Sequence, residues 1–482
     1  MKPIFAIKVP FGGSSSALLS SPTQDSDDEG ESRMYKSRHS PTGSKNGTDY
    51  EFVAANGNTT EGPPTWQTKL AAHLRNFVRL PWWNFLLPVI ATLLSAALLV
   101  TSIILSIRWV RGSGLLIPAY KEIPLISQAQ IEAATKRHIT MDQCLTTYPG
   151  LFEEADRVAK FWEKKGGVTL AQLDRAADRG QTARVLIYNG EMYIKRFEWE
   201  RGSRTRAALF LINEAILTST EPIPNVEFVI HTDDLGEGAG EMPLFVLDRT
   251  AEQQHLWLMP DYGFNSWPEP RVGTFSEVTR KSRDFDKKTP WNTKIPQLFW
   301  KGALLTEMRK SLFHTAQEYS WSSIEELDWR NKESVISMDA HCAYKYLAHL
   351  EGYAYSGRLK YILQCRSVVV SHEMQYIQHF HHLINSTMGS PHQNLVVVPG
   401  MDWKTLPETM SVFLHDDEFG EQLADRSRNF WAHYISGQSI DCYWRYLFQR
   451  WAEIQRFTPK LHYEDTPYES FNLMGRTHWD PY

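Results

Sequence analysis

Four short stretches of this chain carry residue types suited to an anionic or hydroxyl-bearing substrate. The first, Gly352-Tyr353-Ala354-Tyr355-Ser356-Gly357-Arg358-Leu359-Lys360, packs glycines, rings, a hydroxyl and two cations together. Ser356 would cap a helix whose first free N–H groups attract phosphate. Arg358 adds a planar fork for phosphate oxygens and Lys360 a point charge, while Tyr353 and Tyr355 offer faces to a base or sugar. Alone, the stretch reads as readily as an ordinary capped helix with solvated cations. The second, "LFWKGALLTEMRKSLFHTA", ends an aromatic strand in Lys301-Gly302 and continues as a helix carrying Arg309 and Lys310. Gly302 would let a ligand approach the backbone closely; a plain strand-turn-helix with surface charge is the alternative.

The third, "VEFVIHTDD", ends in Asp233 and Asp234. Neighbouring side chains on an extended chain diverge, so this is no Asp-x-Asp metal pair. One carboxylate there suits a general base for a hydroxyl group, or simply a turn. The fourth, "SHEMQYIQHFHH", is rich in histidine, but position 376 is Tyr, so no HExxH zinc motif begins at His372-Glu373. His379 and His382 could share a helix face, yet structural roles suit them better, and no metal site is expected.

The elements that must position these residues are short apolar runs alternating with helical patterns. "NVEFVIHTDD", "RSVVVSHE" and "NLVVVPG" each stop in polar or turn residues, as parallel strands buried on both faces do. Ligands of open α/β sheets collect beyond the carboxyl ends of such strands. "YPGLFEEADRVAKFWEKKG", "TLAQLDRAADRGQ" and "AALFLINEAIL" have helical spacing, and "ARVLIYNG" is a strand running into a turn. "HCAYKYLAHLEG" reads as a strand or short helix, and "SGRLKYILQC" as a helix beginning near Ser356.

The chain has 482 residues, 22% charged and 42% hydrophobic, with a net charge of -5. No basic stripe is present to neutralise a nucleic acid, so any anion site must be local. Residues 10–66 are rich in Ser, Gly, Thr, Asn and charge and poor in apolar side chains, which predicts disorder. Pro81 to Ile107 runs uncharged between Arg75, Arg79 and Arg108, Arg111, with Trp82, Trp83 and Trp109 at its ends. About 20 such residues span a bilayer, which predicts a single-pass anchor. Basic residues on its two sides balance, so charge alone leaves the orientation open.

Taken together, "HCAYKYL…EGYAYSGRLKYILQC", "FWKGALLTEMR" and "CYWRYLFQRW" resemble glycosyltransferase family 90, from about Cys144 to about Arg456. That family includes Rumi-type protein O-glucosyltransferases and capsule-associated-protein-type xylosyltransferases. The section "SHEMQYIQHFHHLI…SPHQNLVVVPGMDWKTLPE" looks like the fungal branch. The resemblance implies an α/β fold of GT-B type, two Rossmann-like domains facing a cleft, and an inverting UDP-sugar transferase with no required metal or other cofactor. Its nucleotide block falls on Tyr353, Ser356, Arg358 and Lys360, with Gly302 and Arg309; its catalytic aspartate falls on Asp234, with Asp233 in reserve. The family usually has Arg-Gly where this chain has Lys301-Gly302, and Lys lacks the bidentate fork.

The same resemblance pairs Cys342 with Cys365 and Cys144 with Cys442. Two bridges point to an oxidising lumen, which would put the catalytic part in the Golgi or endoplasmic reticulum lumen, as a type II membrane protein, and make Asn385-Ser386-Thr387 a usable glycosylation site. The expected organisation is a disordered cytosolic tail (1–80), the anchor (81–108), a stem (109–140), an N-terminal acceptor-side domain (141–290), a C-terminal UDP-sugar domain (291–440) and a C-terminal helix returning to the N-terminal domain (441–482). Xylose or glucose would pass to a hydroxyl of a glycan or protein. A non-catalytic binding module of the same fold and a membrane-anchored metal hydrolase are the competing readings.

Overall fold

The computed structural model describes residues 93, 95, 125–198, 202–234, 240–267, 272–328, 330–331 and 334–477. Ser95–Tyr482 forms one compact unit, and all that follows concerns it. Two sheets organise it. The first contains β1 (Thr182–Tyr188), β2 (Glu191–Phe197), β3 (Val226–His231), β4 (Leu244–Val246) and β5 (Trp257–Leu258). The second contains β6 (Ile295–Gly302), β7 (Ser322–Glu326), β8 (Tyr344–His349), β9 (Val368–His372) and β10 (Val396–Val398). A late strand, β11 (Thr466–Pro467), rejoins the first sheet beside β2.

The second sheet is parallel throughout, with neighbour order β10-β9-β8-β6-β7. This is the flavodoxin-type doubly wound order, whose direction reverses between its first and third strands, here β6 and β8. In sheets of this order ligands bind in the crevice beyond the carboxyl ends of those two strands, which here end at Gly302 and His349. β9 is buried along its whole length, as its apolar run predicts.

The first sheet departs from a Rossmann pattern, in order β11-β2-β1-β3-β4-β5. Only β3, β4 and β5 are parallel; β1 pairs antiparallel with both β2 and β3. The cause is local. Asn189 and Gly190 both adopt positive φ, 52° and 82°, and the two-residue turn they make forces β1 and β2 into a hairpin. All six residues of β3 are buried.

The helix Gly437–Ile454 closes the first sheet from the far end of the chain, laying Tyr443, Trp444, Leu447, Phe448 and Trp451 into the core. Phe245 sits 5.5 Å from Trp257 and 5.2 Å from Trp451, ring centre to ring centre. Arg445 of this helix donates to the Ala215 carbonyl at 2.9 Å, and Trp451 Nε1 to the Glu227 carbonyl at 3.0 Å. Both disulfides are formed: Cys144–Cys442 pins the helix to Met141–Thr147, and Cys342–Cys365 closes the span before β9.

One expectation is corrected. Among the described residues no helix is long and apolar enough to cross a membrane, against the single transmembrane helix predicted from sequence. The longest described helices, Asp417–Tyr434 and Gly437–Ile454, carry charges such as Asp425, Arg445 and Arg450. The 81–108 segment, apart from Leu93 and Ser95, and the whole 1–80 tail lie outside the described residues.

Candidate active site

Three parallel neighbours of the first sheet each end in an aspartate. Asp234 follows β3, Asp248 follows β4 and Asp261 follows β5. The second sheet answers with Gly302 at the end of β6 and Glu351 just past β8. The carboxyl ends of the two sheets meet here: Lys360 Nζ lies 2.8 Å from Asp261, and the Tyr361 hydroxyl donates to the Gly263 carbonyl at 2.9 Å.

Two guanidiniums stand at the β6/β8 crevice. Arg309 and Arg358 lie over the same indole, Trp300, at 5.7 and 5.8 Å from its ring centre. Thr306 caps the helix Glu307–Ala316 and so sets Arg309 in its first turn. Among the described residues Arg309 donates to two carbonyls, Glu351 O at 2.9 Å and Ala303 O at 3.1 Å. Neither arginine pairs with a carboxylate among the described residues. Burial and the neighbouring Arg309 charge push the Arg358 guanidinium down to about 10. Two unneutralised cations held this close have a strong electrostatic demand for an anion. Gly302 makes room for the indole under both arginines: a Cβ there would come 2.6 Å from the Trp300 ring.

Not every residue singled out in sequence faces this crevice. Lys360 is buried with its charge already committed: it pairs with Asp261, donates to the Gly357 carbonyl at 2.8 Å and sits among Phe264, Trp267 and Tyr361. Lys301 turns to Glu325 at 2.8 Å. The helix expected from Ser356 is a single turn, Leu359–Ile362, and the residue at its N-cap is Arg358, so Ser356 does not cap it. Tyr353 is 65% exposed at the rim, whereas Tyr355 is buried, and its hydroxyl is pushed well above the ordinary range by burial and by the charges of Asp261, Asp248 and Asp234.

Asp234 is held through Oδ1 by Arg204 at 2.7 Å, and its side chain is 43% exposed. Asp233 points elsewhere and accepts the Asp234 backbone N–H at 2.9 Å. The histidines do not converge. His379 is enclosed by Phe264, Phe380 and Tyr443, His382 donates to the Gly150 carbonyl at 2.8 Å, and burial holds His372 down at about 4. Among the described residues no three His, Cys, Asp or Glu side chains gather as metal ligands would.

Sequence reading missed Asp248, Asp261, Glu351 and Trp300. The first two had a legible signal, since "LFVLD" and "LWLMPD" are apolar runs stopped by aspartate, as "VEFVIHTDD" is. Glu351 organises the site by accepting the Gln375 and Tyr376 backbone N–H groups at 3.0 and 2.8 Å, tying the loop after β8 to the loop after β9. Burial nevertheless raises its carboxyl to about 7.

An anion crevice opposed by a strand-end carboxylate is a geometry suited to transfer of a group from an anionic donor. Known proteins agree. The chain is 23% identical over 291 residues to the O-glucosyltransferase rumi of Drosophila melanogaster, covering 55% of this chain and 67% of the fly protein. It is 25% identical over 293 residues to Protein O-glucosyltransferase 2 of Danio rerio, covering 57% and 56%. Against Protein O-glucosyltransferase 1 of Homo sapiens it is 22% identical over 267 residues, covering 50% and 66%. The model of Glycosyl transferase family 90 matches residues 143–470, from the helix that carries Cys144 to the helix after β11, and with it every residue of the crevice: the chain belongs to that family.

Proposed function

We propose that this glycosyltransferase moves a sugar, glucose or xylose, from its UDP derivative to a hydroxyl of a protein or glycan, with inversion at the anomeric carbon. The observation that carries the reading is the Arg309–Arg358 pair, unneutralised by any carboxylate among the described residues and placed at the switch point of the parallel sheet. Such a pair suits a diphosphate, whose charge grows as the glycosidic bond breaks. Gly302 makes room for the Trp300 indole on which the pair rests, and Tyr353 and Ser356 stand on the same loop as Arg358 for the nucleoside.

In the proposed step the acceptor oxygen attacks the anomeric carbon while its proton passes to Asp234. The bond from that carbon to the diphosphate breaks, and its electron pair leaves with UDP. Arg204 fixes the Asp234 carboxylate through one oxygen, and the other carries no hydrogen bond from a described residue. The positive charge of the two arginines does what a divalent cation would do at a leaving diphosphate, so we propose no metal requirement. The names of the relatives favour glucose and a protein acceptor. The two bridges favour an oxidising lumen of the endoplasmic reticulum or Golgi. The two-sheet arrangement supports the GT-B reading, and the section after His372 supports a place in the fungal, capsule-associated branch.

The test is turnover of UDP-glucose and UDP-xylose by the purified chain, with and without chelator, beside the Asp234→Asn variant. Release of UDP that survives chelator and is lost in the variant is expected. Equal turnover by both proteins would remove Asp234 from its role, and UDP binding without turnover would make the chain a binding module.

A further inference from the structure

Among the described residues Asp248 has no hydrogen-bond or ion-pair partner that explains its burial. It stands between Asp234 and Asp261 at the end of β4, is only 2% exposed, and its Oδ2 is enclosed with no hydrogen bond from a described residue. The next residue, Arg249, does not neutralise it. Arg249 turns the other way, to Glu154 at 2.9 Å, and pairs its backbone with Ile377 across the two halves of the site. Burial first, and then the charges of Asp234, Glu351 and Asp261, all carboxylates, push its carboxyl up to about 9. A carboxyl kept neutral in this setting offers both an O–H donor and an acceptor. An unsatisfied buried group of this kind costs stability, and it persists where a ligand completes it.

Resting on the UDP-sugar reading above, we propose that Asp248 binds a hydroxyl of the transferred sugar and sets which sugar the enzyme accepts. Its position suits this. The diphosphate lies by Arg309 and Arg358, the attacking hydroxyl by Asp234, and the sugar must bridge them. The register of β3, β4 and β5 sets Asp248 between Asp234 and Asp261, and Asp261 meets Lys360 two residues past Arg358. A site built to pair a substrate hydroxyl discriminates more strongly than an apolar pocket, because the analogue lacking that hydroxyl leaves the buried group unpaired.

The experiment compares UDP, UDP-glucose, UDP-xylose and UDP-galactose on the wild-type chain and on Asp248→Ala and Asp248→Asn, by calorimetry and by steady-state transfer. UDP itself should bind all three proteins within about 2-fold. The extra affinity of the preferred UDP-sugar over UDP should fall roughly 10-fold in Asp248→Ala, with KM rising and the ranking of the three sugars flattened. Asp248→Asn, which keeps a donor and an acceptor, should recover part of it. A ranking and sugar increment unchanged in folded Asp248→Ala overturn the proposal while leaving the diphosphate reading intact. Loss of UDP and UDP-sugar binding in equal measure also overturns it, since the residue would then act on the fold. Failure of the wild-type chain to bind UDP at all overturns the parent reading, and this one with it.

Discussion

Arg309 and Arg358 both stack on one indole, Trp300, at 5.7 and 5.8 Å from its ring centre, and no described carboxylate pairs with either. Two like charges in that position oppose folding and favour an anion. Arg358→Ala should therefore weaken UDP binding about 10- to 100-fold while leaving the melting temperature unchanged or raised. Arg358→Lys should recover only part of the affinity, because the ammonium lacks the bidentate fork. Calorimetry with UDP and a thermal scan of each variant measure both effects.

In the proposed step Asp234 separates binding from chemistry. Asp234→Asn removes the proton acceptor but keeps a partner for Arg204, so kcat should fall about 100- to 10,000-fold with UDP affinity held. A variant that loses both in proportion would mean that Asp234 organises the loop instead.

Lys360, expected from sequence at the nucleotide, is buried and paired with Asp261. Removing one member of the buried Lys360–Asp261 pair strands the other charge, at a cost of about 3–5 kcal/mol. Lys360→Met should therefore lower the melting temperature by about 5–15 °C. The double variant with Asp261→Asn should restore much of it, and folded Lys360→Met protein should still bind UDP. Loss of UDP binding at full stability would return Lys360 to the ligand.

Stability should fall as pH rises from about 5 to 9. The carboxyls of Asp248 and Glu351 are raised in the fold, to about 9 and about 7, mainly by burial. Each binds its proton more tightly folded than unfolded, so its contribution is complete below its unfolded value and is lost as pH climbs through the folded one. Glu154 works oppositely: burial would raise it, but Arg157 and Arg249 hold it down at about 2, so its contribution is lost only as pH falls below the ordinary carboxylate range. Asp248→Asn should melt close to the wild type at pH 5 and several degrees above it at pH 9. Thermal scans across that range give the comparison.

What could be read in sequence was whatever depends on near neighbours. β3, β9 and β10 announced themselves as short apolar runs, because a strand covered on both faces needs apolar side chains on both. The turn Asn189-Gly190 fixed a hairpin, since only such residues accept two positive φ values at low cost. Asp234 was legible as the end of one such run, and Arg309 and Arg358 as cations beside glycines. What each of those side chains faces depended on partners far along the chain. Lys360 finds Asp261 at a separation of 99 residues, Arg309 and Arg358 meet only over Trp300, and Asp248 acquires its neighbours when β3, β4 and β5 align. An ionisable group takes its role from the charges and solvent around it, and those are set by packing between strands and loops whose order in sequence does not reveal which of them will touch.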